Sequence, residues 1–285
     1  MRLATFRHAR SDADEIGLVA GDQIHPAPGS FAIAGMAELI ERWGDLSATV
    51  AQWADEVQPL DLAEVDLRAP LPRPGKILAI GQNYAAHAAE TNAAVPDKQI
   101  WFSKAPTSVN APNAPIELPR ASSQVDYEVE LVAVIGKRCR HVPYESARDV
   151  IFGYCVGNDV SARDWQLRTP QWVLGKSFDT HAPIGPWITT SDAVGDPHQL
   201  DLTCKVNGKL RQSANTADMV FDVYDQIAEL SRVMTLEPGD LIFTGTPSGV
   251  GLAMSPPQFL RSGDVVRCEI SGLGVIEATM EPELQ

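Results

Sequence analysis

The sequence predicts an α+β protein that is mainly β, with its strands closed into a barrel-like roll or sandwich and not into a parallel doubly wound sheet. Three observations lead there. Short apolar or alternating runs far outnumber helical periodicities. Turn signals punctuate those runs throughout, the clearest being Asn207-Gly208, a type I′ hairpin signature. The helical patterns that do occur are short and do not alternate regularly with strands.

Taken in order, residues 1–70 read as a small N-terminal α+β domain. MRLATF opens as a strand, and residues 15–24 alternate as a hairpin around Gly21-Asp22. Met36, Leu39, Ile40, Trp43, Leu46, Val50 and Trp53 then recur at helical spacing, with both tryptophans as packing anchors. The run Leu71-Pro72-Arg73-Pro74-Gly75 marks a boundary, after which residues 71–285 form the larger domain. Residues 76–80 make a short buried strand, and Asn83 is placed to cap a helix over residues 84–91. Strands follow at 100–103, 127–135, 153–160, 185–190, 200–206 and 209–212. A helix capped by Asn215 or Thr216 carries Met219, Val220, Val223, Ile227, Leu230 and Met234, and residues 265–280 close as a hairpin.

Composition narrows the partners. With 23 basic against 37 acidic residues the net charge is −14, which argues against nucleic acid or an anionic membrane. No run approaches the roughly 20 apolar residues that span a bilayer. The opening MRLATFRHARSDADE lacks the apolar core of a leader, so a cytoplasmic address is expected. Cys139, Cys155, Cys204 and Cys268 form no CxxC pair and read as reduced, small apolar side chains.

The chemistry concentrates around YEVELVAVIG, starting at Tyr127. Alternation puts Glu128 and Glu130 on one face, roughly 6–7 Å apart, in line with Val132 and Val134. A solvated sheet edge would explain two glutamates, but the apolar continuation on both faces points to burial, where a divalent cation offsets their repulsion. Asp159, at the end of GYCVGNDV, completes an oxygen-only set, although alone it reads as a strand-end turn residue. Such donors suit Mg²⁺ or Mn²⁺, with Ca²⁺ as a non-native occupant, and not zinc. His87 and Glu90 share a helix face, either as an exposed turn or as an oriented base dyad. Lys176 in GKSFDT can counter a developing anion. Arg163, Asp164 and Gln166 follow Asp159 closely enough to border any site there. Gly245 and Thr246, in the glycine-rich TGTPSGVG, offer backbone N–H groups and a hydroxyl for a substrate carboxylate, with a plain tight turn as the competing reading.

In order along the chain, GQNYAAHAAE (81–90), DYEVELVAVIGK (126–137), GYCVGNDVSARDWQ (153–166), GKSFDTHAPIGPW (175–187), SANTADM (213–219), PGDLIFTGTPSGVG (238–251) and GDVVRCEISGLG (263–274) resemble the fumarylacetoacetate hydrolase family, in its short acylpyruvase-type form. The resemblance implies a mixed β-barrel-like catalytic fold, a homodimer, and Mg²⁺ or Mn²⁺ held by Glu128, Glu130 and Asp159. It implies a base dyad of His87 and Glu90, polarising roles for Lys176 and Gln166, and a substrate contact at Thr246. The implied reaction is hydrolysis of a C–C bond in a 2,4-dioxo acid (an acylpyruvate or a diketo-deoxy sugar acid) to pyruvate and a carboxylic acid through an enolate. Decarboxylation of oxaloacetate-type acids and isomerisation of 2-hydroxyhepta-2,4-diene-1,7-dioate-type acids are alternatives on the same scaffold. A Ca²⁺-binding structural domain is the non-enzymatic rival, and it has no use for His87, Glu90, Lys176 or Gln166.

Overall fold

A computed structural model describes residues 1–8 and 13–284. The chain opens with β1 (Arg2–His8), β2 (Glu15–Ala20) and β3 (Gln23–Pro26), then α1 (Met36–Glu41), α2 (Trp43–Val50) and α3 (Trp53–Glu56). Strands β4 (Leu60–Asp61) and β5 (Val65–Arg68) end this segment. Beyond the proline-rich stretch come β6 (Ile77–Gly81), α4 (Ala85–Glu90), β7 (Ile100–Lys104), β8 (Val109–Asn110) and β9 (Ile116–Leu118). Next are β10 (Val125–Asp126), β11 (Val129–Ile135), β12 (Ile151–Asn158) and β13 (Ser161–Ala162), with α5 (Arg163–Gln166) and α6 (Val173–Lys176) after them. The last third holds β14 (Ala182–Thr190), α7 (Ser191–Val194), β15 (Asp201–Val206), β16 (Lys209–Asn215), α8 (Val223–Val233), β17 (Leu241–Phe243), β18 (Val265–Ile270) and β19 (Gly274–Pro282).

Most strands join one large sheet whose path runs β4-β3-β2-β1-β14-β12-β11-β17-β6-β7. It does not close on itself, so the barrel expected from the sequence is replaced by an open sheet ending at β4 and β7. A second sheet, β16-β15-β18-β19-β9, supplies the covering layer that closure would have provided. Both faces of β11 are thereby buried. Val129, Leu131, Ala133 and Ile135 pack with Leu202, Val266 and Ile276 of the second sheet and with Val223, Ile227 and Leu230 of α8. Val132 and Val134 face the other way, toward Ile77, Leu241, Phe243 and the N-terminal Leu39, Ile40 and Trp53.

Residues 1–70 share this architecture. β1 pairs with β14 at Arg2↔Thr189 and Leu3↔Ile188, and the helices of this segment contribute to the same apolar cluster as β11, β12 and β17. Trp53 is fully buried, with Phe31 edge-on to it, and Trp43 meets Phe152, so both tryptophans pack as expected. The Asn207-Gly208 hairpin forms with both residues at positive φ, 51° and 74°. Two helix starts differ from expectation, for one reason. Asn83 does not cap α4. It is buried, and its amide donates to Phe221 O (2.9 Å) and Thr244 O (2.7 Å) while its Oδ1 accepts from Phe221 N–H (2.9 Å). Because residues 220 and 221 bond to Asn83, the turn capped by Asn215 stops at Asp218, and α8 restarts under an Asp222 cap.

Candidate active site

Antiparallel register assembles the site. β11 and β12 pair with Val129 opposite Asn158 and Glu130 opposite Gly157, so the chain leaving β12 delivers Asp159 beside Glu128, where Asp159 N–H donates to Glu128 O (2.9 Å). One oxygen from each of Glu128, Glu130 and Asp159 lies within 4.8 Å of the others, and all three residues are buried. β17, on the other side of β11, ends at Phe243 and turns Gly245 toward the same point; its N–H donates to Glu130 Oε2 (2.8 Å). Gly245 holds φ +97°, and a Cβ there would lie 2.6 Å from Asn83 Cβ, so the turn needs glycine.

Three buried cations share the cluster with four buried carboxylates. Lys176 Nζ sits 2.7 Å from Glu128 Oε2 and 2.6 Å from Asp159 Oδ2. Lys104 Nζ sits 2.6 Å from Asp159 Oδ1. Arg163 bonds Glu128 Oε1 (2.6 Å) and Asp126 Oδ2 (2.9 Å), and its NH1 also donates to Gln166 Oε1 (2.9 Å). Burial works against ionisation of Glu128, but Lys176 and Arg163 hold its carboxyl well below the usual carboxylate range. Glu130 has no such partner. Burial, then Asp159 and Glu128, push its carboxyl well above its ordinary value. Burial opposes the charge on Lys176 too, yet Asp159 and Glu128 keep its ammonium favoured, whereas at Lys104 burial outweighs Asp159 and the value falls. One carboxylate is thus left uncompensated where three oxygen donors converge. That donor set fits a hard divalent cation, and Glu128, Glu130 and Asp159 are the residues that would hold it.

The cluster opens on a cavity of about 250 Å³ whose wall includes Glu128, Glu130, Arg163, Gln166, Lys176, Thr246 and His87. α4 brings His87 to it: Nδ1 lies 2.7 Å from Glu90 Oε1, and Glu90 Oε2 in turn accepts Gly249 N–H (2.8 Å). With the Nδ1 proton given to Glu90, Nε2 of His87 carries the lone pair. Ile80, Phe102, Leu167, Trp172, Val250 and Leu252 give the same cavity apolar lining. A Cβ on Gly81 would fall 2.3 Å from the Trp172 ring, so that ring lies directly on the strand.

Not every residue anticipated for the site joins the cavity. Asp164 turns away, accepting from Ser122 Oγ (2.6 Å) and from Trp165 N–H (3.1 Å), and it braces a loop. Thr246 lines the cavity, but its hydroxyl donates to Val129 O (3.0 Å) and accepts from Gln212 (2.8 Å), so it ties the loop to β11 first. Gly245 serves Glu130. Two residues escaped sequence reading. Lys104 ends an apolar β-run, where a lysine has no reason to sit unless an acid meets it. Asp126 opens the glutamate motif and accepts from Arg163, Gly251 N–H (2.8 Å) and Leu252 N–H (2.9 Å).

Comparison with known proteins places this geometry. Residues 76–281 match the family described as fumarylacetoacetate (FAA) hydrolase, C-terminal. A mitochondrial oxaloacetate tautomerase of Xenopus laevis is 43% identical over 284 residues, covering 97% of this chain and 89% of that protein. A solved maleylpyruvate hydrolase from Sphingobium sp., in complex with manganese(II) ion and pyruvate, is 36% identical with a TM-score of 0.84 and 100% of both chains covered. A 2-hydroxyhepta-2,4-diene-1,7-dioate isomerase from Mycobacterium marinum is 33% identical with a TM-score of 0.78, again over 100% of both chains.

Proposed function

This chain belongs to the fumarylacetoacetate hydrolase family, and we propose that within it the protein is a divalent-metal-dependent enzyme acting on short 2-oxo acids, with keto–enol tautomerisation of an oxaloacetate-type acid as its reaction. The observation that carries this is the opening of the His87–Glu90 dyad onto the same cavity as the three convergent carboxylates. Mg²⁺ or Mn²⁺, when bound by Glu128, Glu130 and Asp159, supplies Lewis-acid polarisation of a 2-oxo-carboxylate.

The side chains do the rest. His87 Nε2 takes the proton from the carbon beside the ketone and delivers it to the enolate oxygen to give the enol, with the same two transfers run backwards for ketonisation, and an imidazole is suited to both near neutral pH. Glu90 holds the ring through Nδ1 and stabilises the imidazolium between the two steps. Lys176, whose charge its neighbours favour, and Gln166 meet the oxygen that gains negative character. The identity to the tautomerase relatives over nearly the whole chain supports this substrate class.

A second reading keeps the same residues and changes what His87 deprotonates. If it activates water for attack on the 4-carbonyl of an acylpyruvate, the C3–C4 bond breaks to give pyruvate and a carboxylic acid. The likeness to the maleylpyruvate hydrolase over its full length favours this variant. A panel of oxaloacetate, acylpyruvates and 2-hydroxy-dienedioates with Mg²⁺ and Mn²⁺, followed by NMR, distinguishes the two. Enol–keto interconversion of oxaloacetate without loss of carbon supports tautomerisation; release of pyruvate from acylpyruvates supports hydrolysis. No His87-dependent turnover of any member would defeat both.

A further inference from the structure

We propose that the protein carries a second ligand site, for a small dianion, in a cleft of about 470 Å³ lined by Arg211, Arg261, Tyr127, Ser123, Asn207 and Gln258. The cleft shares no lining residue with the cavity of the carboxylate cluster, but Tyr127 joins the two: it stands between Asp126 and Glu128 in the chain, and its hydroxyl donates to Gly249 O (3.0 Å), whose N–H holds Glu90. None of the acids that hold Lys104, Lys176 and Arg163 lines it.

Arg211 is the residue that points to a ligand. Among the described residues its Nε is buried without a hydrogen-bond partner, and the guanidinium's one acceptor is the thioether of Met254, 3.2 Å from NH1. A thioether is a weak acceptor and Nε is out of reach of solvent, so the NH1 and NH2 donors are what the guanidinium can turn to a ligand in the cleft. Among the described residues, neither Arg211 nor Arg261 has a carboxylate within ion-pair distance. In a chain of net charge −14, two arginines lining one cleft with neither ion-paired are notable, because acids are in excess. The one acid on the wall, Asp264, is already engaged: Oδ1 accepts from Asn207 Nδ2 (2.8 Å) and Oδ2 from Arg261 N–H (2.7 Å). Both donors are neutral and do not offset the carboxylate, but Arg211 and Arg261 outnumber it two to one on the wall.

The donors offered suit paired oxygens. A guanidinium fork matches a carboxylate or phosphate two bonds at a time, and Arg261 supplies a second positive charge across the opening. Ser123 and the amides of Asn207 and Gln258 add neutral polar groups at the same wall. Inorganic phosphate and a short dicarboxylate share this chemistry.

The test is calorimetric titration of inorganic phosphate and, separately, of succinate into the full chain in a Mg²⁺-containing buffer, using wild type, R211Q, R261Q and E130Q, the last with its metal site impaired. The expected result is saturable binding of at least one of the two anions in wild type and in E130Q, weakened by roughly tenfold or more in R211Q through loss of a charged hydrogen-bond pair, and weakened less in R261Q. Which anion binds tells phosphate from dicarboxylate. Absence of saturable binding by either anion in wild type overturns the site. So does equal affinity in R211Q, or binding lost in E130Q and kept in R211Q, which would place the anion at the carboxylate cluster. Should R211Q fail to give a folded circular-dichroism spectrum, R261Q decides on the same terms, and unchanged affinity there rejects the proposal.

Discussion

Glu128→Gln and Glu130→Gln are isosteric changes two residues apart, and the structure assigns them opposite effects on the metal-free fold. Glu128 holds Lys176 at 2.7 Å and Arg163 at 2.6 Å, both buried. Removing its charge leaves Lys176 with Asp159 alone and Arg163 with Asp126 alone, and that loss at two buried cations costs about 3–5 kcal/mol. Glu130 has no cation partner and faces two carboxylates within 4.8 Å. At that separation and an effective dielectric of about 20, each bare pair repels by roughly 3.5 kcal/mol. Lys104 and Lys176 cancel most of this, so a neutral amide relieves about 1–2 kcal/mol. The glutamine still offers an oxygen to Gly245 N–H.

At about 2–4 °C per kcal/mol for a chain of this size, metal-free E128Q melts roughly 6–20 °C below wild type, and E130Q melts level with it or a few degrees above. The pH dependence adds a sign. Glu130 is raised in the fold, so its contribution is present below the unfolded value near ~4.3 and is lost as pH climbs through the folded one. Glu128 is lowered, so its contribution is present above ~4.3 and is lost as pH falls through its folded value. E130Q therefore abolishes the decline in metal-free stability on the alkaline side of ~4.3 that wild type shows. Thermal melts by circular dichroism in chelator, then with Mg²⁺ or Mn²⁺, read both effects. Wild type gains stability on metal addition and both variants gain little. A metal-free E130Q that melts well below wild type, or one that keeps the full metal-induced gain, refutes the electrostatic reading of the cluster.

Further outcomes follow from the same geometry. H87A should lose about 10²–10⁴ in kcat while keeping metal binding by calorimetry, because the imidazole moves protons and ligates nothing; metal affinity lost in parallel would contradict that role. E90Q should lose less and show a shifted pH–rate profile, since it orients and charge-stabilises the ring. Chelation should abolish turnover, with Mg²⁺ or Mn²⁺ restoring it; activity that persists in chelator rejects metal dependence. N83A should lower stability by about 2–4 kcal/mol, since three buried hydrogen bonds go at once, and should raise KM as α4 loosens over the cavity. Unchanged melting of N83A would show that Asn83 is not the clamp its contacts describe.

The sequence alone determined much of this protein. Alternation along YEVELVAVIG put Glu128 and Glu130 on one buried face, and the structure has Val132 and Val134 continuing that face into the core. The spacing of His87 and Glu90 set a dyad on one side of a helical turn, and Asn207-Gly208 announced its hairpin. These are local statements, fixed by backbone periods of 2 and 3.6 residues that any segment carries with it. What only the tertiary structure decided depends on pairing between distant segments. Lys104 and Asp126 joined the cluster because β7 and β10 are brought against residues 159 and 163; the apolar run before Lys104 calls for an acid, but nothing local says which acid meets it. Asp164 left the cavity because Ser122 reached it first. Asn83 became a clamp and not a cap because residues 220, 221 and 244 arrived beside it. The barrel stayed open because a second sheet covered the face that closure would have buried. Periodicity tells which way a side chain points from its own strand; what waits there is settled by the rest of the chain.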